Sequence, residues 1–146
     1  MIMIFRKILV PYDGSKASLK ALNKAIDIAS SDSAIELHVM NVLQFPTLVL
    51  GEAMISPPAT MQKEYYDASL ELLQEAKKRL EALPNPTQTV QEDGQPADAI
   101  LDYAEKNGFD LIVIGSRGLG NIRSFVLGSV SHNVVQHAKI PVLVVK

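Results

Sequence analysis

The densest chemical signal in the chain lies near its C-terminus, where Gly115, Gly118, Gly128 and Ser129 stand in the spacing G-x2-G-x9-G-S, with Ser131 close behind. Glycine lets an anion approach the backbone with no Cβ in the way, and a glycine-serine pair at a helix start aligns unbonded N–H groups with the positive end of the helix dipole. The hydroxyls of Ser129 and Ser131 would add donors. The stretch Ile114 to Ser131 is therefore predicted to be a phosphate-binding loop. Each charge-assisted hydrogen bond there would contribute roughly 1.5–3 kcal/mol, so three or four would give micromolar binding once ordering costs are subtracted. Arg117 could bridge phosphates or stay solvated.

A second stretch, Pro11-Tyr12-Asp13-Gly14-Ser15, carries an acidic side chain among turn and cap formers. No histidine or lysine in that segment completes an acid–base pair with Asp13, so a ribose or metal contact fits it better than a general base. Competing signatures fail. No lysine stands where a Walker A loop needs one, Gly118 and Gly120 are followed by Arg123 where the dinucleotide fingerprint needs a third glycine, and no G-x-S-x-G elbow exists. His132 and His137 are too far apart on one helix to form an i, i+4 zinc pair, and His38 reads as a core residue inside a strand. No protein metal site is expected.

The elements that would hold these loops follow from apolar periodicity. Ile8 to Val10, Ile35 to Val42, Leu111 to Ile114 and Val142 to Val145 are short apolar runs that read as strands, and the polar Thr87 to Gln91 reads as a strand at a sheet edge. Between them, helical spacing marks a segment from Ala17 to Ala29, a long amphipathic helix from Met61 to Leu83, a short one from Ala97 to Lys106, and Phe125 to Ala138. Gln44 to Thr60 loses all periodicity and is expected to be a long apolar loop, a flap or a lid. Strands alternating with helices argue for an α/β fold with a parallel sheet covered on both faces. Ligands of such sheets sit beyond the carboxyl ends of the strands, where both candidate loops would lie.

Composition narrows the function classes. A chain of 146 residues with 47% hydrophobic and 21% charged residues suits a single domain, 1–146, with a substantial core. A net charge of −2 gives no general attraction to nucleic acid or to an anionic membrane. The absence of cysteine removes disulfides, thiolate metal sites and cysteine nucleophiles. Arg6 and Lys7 follow the apolar start instead of preceding it, unlike a secretory signal, so a cytoplasmic location is the default expectation.

The segments I-L-V-P-Y-D-G-S, L-H-V of Leu37 to Val39, G-x-P of Gly94 to Pro96, G-S-R-G with G-S-V-S, and the terminal P-V-L-V-V together resemble the universal stress protein family in its ATP-binding branch, over essentially the whole chain. The resemblance implies a Rossmann-like fold of the adenine nucleotide alpha hydrolase type, an open five-stranded parallel sheet in the order 3-2-1-4-5. It implies that Pro11, Tyr12 and Asp13 contact adenosine, that the backbone of Val39 meets adenine, that Ile114, Gly115, Arg117 and Gly118 lie under ribose and phosphates, and that Gly128, Ser129, Val130 and Ser131 form the phosphate-binding helix start. Tyr12 is bulkier than the residue often found there. The cofactor implied is ATP, with any Mg2+ held mainly by its phosphates. The strand order leaves Val142 to Val145 at an edge, where pairing with the same strand of a second copy would give a homodimer. The expected role is a nucleotide-dependent sensor or switch. A slow ATP hydrolase and a module for AMP or a cyclic nucleotide are the alternatives.

Overall fold

A computed structural model describes residues 4–45, 48–117 and 128–146. In chain order the elements are β1 (Lys7–Pro11), α1 (Lys16–Ala29), β2 (Glu36–Leu43), β3 (Leu48–Leu50), β4 (Ala53–Ile55), α2 (Ala59–Leu80), β5 (Thr87–Asp93), α3 (Pro96–Lys106), β6 (Leu111–Gly115), α4 (Ser129–His137) and β7 (Val142–Val145). Five strands form one parallel sheet in the order β5-β2-β1-β6-β7. Counted without the short pair β3 and β4, this is the expected order 3-2-1-4-5.

Side chains alternate across the central strands and so build two cores. Ile8 and Val10 of β1, Leu37 and Val39 of β2, and Leu111 and Val113 of β6 meet α1 and α2 through Leu22, Ala25, Leu73 and Ala76. Leu9, Met40, Ile112 and Ile114 point the other way, against Ala97 and Ile100 of α3 and Val134 of α4. Each such side chain fully withdrawn from water contributes about 1.5–3 kcal/mol. The β5 edge is polar and half-exposed, as its composition requires.

Two expectations are corrected. Gln44 to Thr60 is not a structureless loop: β3 and β4 form an antiparallel hairpin with Leu48 opposite Ile55 and Leu50 opposite Ala53. Gly51, at φ +64°, supplies the left-handed residue that its tight turn needs. Val49, Leu50 and Met54 stay largely exposed, at 65%, 62% and 75%, so these side chains do not pack on the rest of this chain, and the expected flap is left with another subunit as the surface to cover them. The helix that follows begins at Ala59 and ends at Leu80, where Met61 and Leu83 are the ends read from the sequence. Its stop lies upstream of Pro84 because Glu81 N–H bonds to Lys78 O and Leu83 N–H to Leu80 O, a tightened last turn.

Asn85 closes the amino-terminal end of the sheet. Its Nδ2 donates to the carbonyls of Ala29, Asp32 and Ile35 at 2.9, 2.9 and 2.8 Å, tying the end of α1 to the start of β2. The same end holds His38, buried with its Nε2 2.7 Å from Glu36 Oε2 and its Nδ1 3.0 Å from the Tyr103 hydroxyl. Burial lowers the His38 pKa and outweighs the Glu36 hydrogen bond and charge, while Lys7 pushes the same way as burial. A neutral ring then donates from Nε2 to the carboxylate and accepts the Tyr103 proton at Nδ1. His38 is thus the satisfied core histidine that its place in a strand suggests.

Candidate functional site

β1 runs into α1 on one face of the sheet, whereas β6 leads toward α4 on the other. Between two neighbouring strands whose crossovers part in this way, an open parallel sheet leaves a crevice. Here it is a cavity of about 330 Å³. Pro11, Tyr12 and Asp13 line one side, Met40, Asn41 and Val42 of β2 and Pro96 and Ile100 of α3 a second, and Ile114, Gly115, Arg117 and Gly128 to Ser131 a third.

Caps decide what the helix starts can do. Ser15 caps α1, its hydroxyl accepting from Ser18 N–H at 3.1 Å. The side chain of Gln95 caps α3 by accepting from Asp98 N–H at 2.8 Å. α4 starts from Gly128, which has no side chain to cap it. The first intrahelical bond runs from His132 N–H to Gly128 O, so the N–H groups of Ser129, Val130 and Ser131 face the cavity end without an intrahelical acceptor. This is donor chemistry suited to an oxyanion.

Ten of the twelve residues singled out from the sequence line this cavity. Gly118 lies outside the described residues. Val39 does not reach the cavity: it is fully buried on the α1 and α2 face, opposite Val10, and the strand reaches the rim only from Met40 onward. Strand alternation places Met40 and Val42 on the cavity's face of the sheet.

Several of these residues also have partners of their own within the fold. A β-carbon on Gly115 would stand 2.6 Å from the carbonyl carbon of Ala17 and 2.8 Å from Ser18 N, so this glycine is required by the close approach of β6 to α1. Ser131 spends its hydroxyl on the carbonyls of Ser116 and Gly128, both at 3.1 Å. Gly128 N–H donates to the same Ser116 carbonyl at 2.7 Å. Ser131 therefore closes the base of the loop, and of the two serines Ser129 is the one left exposed. The Tyr12 ring belongs to the α1 and α2 core, and burial together with Glu75 raises its pKa. Tyr12 also stands at the rim of the cavity.

The two loops are joined across the crevice. Ser15 Oγ donates to Arg117 O at 3.4 Å, and Asp13 Oδ1 accepts from Ser15 N–H at 2.9 Å. The apolar wall of Met40, Val42, Pro96, Ile100 and Ile114 suits a planar, uncharged ring. Among the described residues no group of three or more His, Cys, Asp or Glu is placed to hold a metal ion, and no helix is long and apolar enough to cross a membrane. Sequence reasoning missed Asn41, Ser18 and Ser116. A polar residue inside the apolar run Leu37 to Leu43 was the signal for the first of these.

A doubly wound parallel sheet with its cavity at the switch point defines an α/β protein of the Rossmann-like class. The chain belongs to the universal stress protein family, whose family model matches residues 4–146. It is 34% identical over 149 residues to universal stress protein YxiE of Bacillus subtilis, covering 98% of this chain and 100% of that one. Among solved structures it resembles a universal stress protein from Archaeoglobus fulgidus in fold, with a TM-score of 0.76 at 22% identity and coverage of 98% and 100%. It also resembles a universal stress protein in complex with cAMP, with a TM-score of 0.69, 30% identity and coverage of 97% and 96%.

Proposed function

We propose that this cavity binds an adenine nucleotide, ATP foremost, and that occupancy makes the protein a nucleotide-dependent sensor or switch in the stress response. The observation that carries this reading is the meeting, in one cavity, of an apolar wall with the uncapped start of α4. The wall takes the base, the Asp13 carboxylate takes a ribose hydroxyl, and the N–H groups after Gly128 take phosphate oxygens, with Arg117 at the loop's start. Mg2+ would arrive with the phosphates and be held mainly by them.

Holding the nucleotide is favoured over cleaving it. No lysine lines the cavity among the described residues, and Asp13 commits one oxygen to Ser15. A second reading, in which AMP or a cyclic nucleotide is the physiological ligand, draws support from the 30% identical relative solved with cAMP. Calorimetry of nucleotide-free protein with ATP, AMP and cyclic AMP separates the two. Micromolar binding of ATP, tighter than of the others, is the expected result, and no heat from any of the three would dispose of the nucleotide site.

Residues 1–146 act on this reading as one cytoplasmic domain. Among the described residues β7 pairs with β6 alone and forms the edge of the sheet, with Leu143 exposed. Antiparallel pairing of β7 with its mate across a two-fold axis would satisfy the open backbone groups of that edge. Light scattering at micromolar concentration should give the mass of a homodimer; a monomer's mass would refute it.

A further inference from the structure

We propose that one face of α2, through Ser69 and Leu72, sets the affinity of the cavity for the nucleoside end of its ligand. The inference rests on the nucleotide reading above and adds to it a helix that contributes no residue to the cavity wall. Ser69 Oγ donates to Asn41 Oδ1 at 2.6 Å, and Asn41 Nδ2 donates to the Tyr12 carbonyl at 2.7 Å. Tyr12 N–H in turn donates to Met40 O at 2.8 Å. The peptide that carries the Tyr12 carbonyl also carries the Asp13 N–H, which is bonded to Ser18 Oγ at 3.4 Å. The rim residue that would meet the ribose is therefore held from behind by a chain of hydrogen bonds that ends on α2.

Leu72 lies one turn along the same face of α2 and makes a second, independent contact with this loop. A β-carbon on Gly14, at φ +83°, would stand 2.7 Å from Leu72 Cδ2. Ser69 thus reaches the Tyr12 carbonyl through Asn41, and Leu72 stands against Gly14 two residues on.

Stability alone does not call for this arrangement. Ser69 is 2% exposed in the middle of a helix, where serine is a weaker helix former than alanine, and Asn41 is 6% exposed on a strand where Val39, Met40 and Leu43 around it are apolar and buried. Replacing both partners of a buried hydrogen bond by apolar groups of similar shape can be nearly neutral. What an apolar pair could not do is fix the Tyr12 carbonyl. The Asn41 amide has one workable orientation, because turning it over would set its oxygen against that carbonyl.

The test measures ATP and AMP affinities, with urea unfolding, for Ser69→Ala, Ser69→Cys and Ser69→Thr. ATP and AMP share the nucleoside, so Ser69→Ala should weaken both by the same factor, about tenfold, while the protein stays folded. Ser69→Thr, which keeps the hydroxyl, should restore both. Ser69→Cys keeps the volume and loses most of the hydrogen bond, and it carries the test should the alanine variant not fold. Unchanged affinities in a folded variant overturn the proposal. So does a larger loss for ATP than for AMP, which places the effect at the phosphates. Wild-type protein that takes up neither ligand removes the nucleotide reading itself.

Discussion

Gly128→Val should abolish nucleotide binding, raising the ATP Kd at least about 100-fold, on the order of 3 kcal/mol, while unfolding in urea shifts little. Gly128 sits at φ −61° and ψ 162°, extended backbone that valine adopts without strain, so the substitution carries no intrinsic backbone penalty. Its effect is local. A branched side chain would project from the N-cap of α4 beside the N–H groups of Ser129 to Ser131 and would exclude an oxyanion from them. Calorimetry and urea unfolding on the same preparation separate loss of the site from loss of the fold. An ATP affinity equal to the wild type's would show that the ligand does not bind at the start of α4.

Asn85→Asp should destabilise the fold by about 3–5 kcal/mol at neutral pH, the range for a buried charge left without a partner. Three carbonyls now share the amide nitrogen, and the variant sets a carboxylate oxygen against all of them. Asn85 Oδ1 is buried and has no hydrogen-bond partner among the described residues, a cost the wild type bears because the amide nitrogen ties three backbone segments together. The sign with pH follows from linkage. The folded state raises the pKa of the introduced carboxyl above its unfolded value, so the deficit is smallest below the unfolded pKa of about 4, grows as pH rises from there toward the folded value and levels off above it. Urea midpoints at pH 4.5 and 7.5, compared with those of the wild type, measure it. A variant as stable as the wild type at pH 7.5 would mean that Asn85 is no clamp.

Parts of the fold were legible because one physical signal sufficed. β1, β6 and β7 are apolar runs in the sequence and strands in the structure, and the polar composition of Thr87 to Gln91 marked an edge. The hairpin was not legible, since three-residue strands are too short to show a period and Gly51, Pro57 and Pro58 read as breakers. Two apolar triplets around Gly51-Glu52 were the available clue. The motif around Gly115 and Gly128 located the cavity, but it did not reveal which atoms are committed. Gly115 answers to the backbone of Ala17 and Ser18, and Ser131 to that of Ser116 and Gly128. Such assignments depend on partners brought near by tertiary packing. Asn85 is the extreme case, since its three acceptors lie 50 to 56 residues away.

The β3–β4 hairpin has a further consequence for how the chain survives damage. A two-stranded ribbon with three-residue strands opens at little free-energy cost, and its exposed Leu50 and Met54 suit a protease that cuts after large apolar residues. A nick there would separate β1, α1 and β2 from everything downstream. Yet the order β5-β2-β1-β6-β7 seats that amino-terminal pair of strands between β5 on one side and β6 on the other, both from the second fragment. The two pieces would remain interleaved as one folded body, with the cavity still assembled from both.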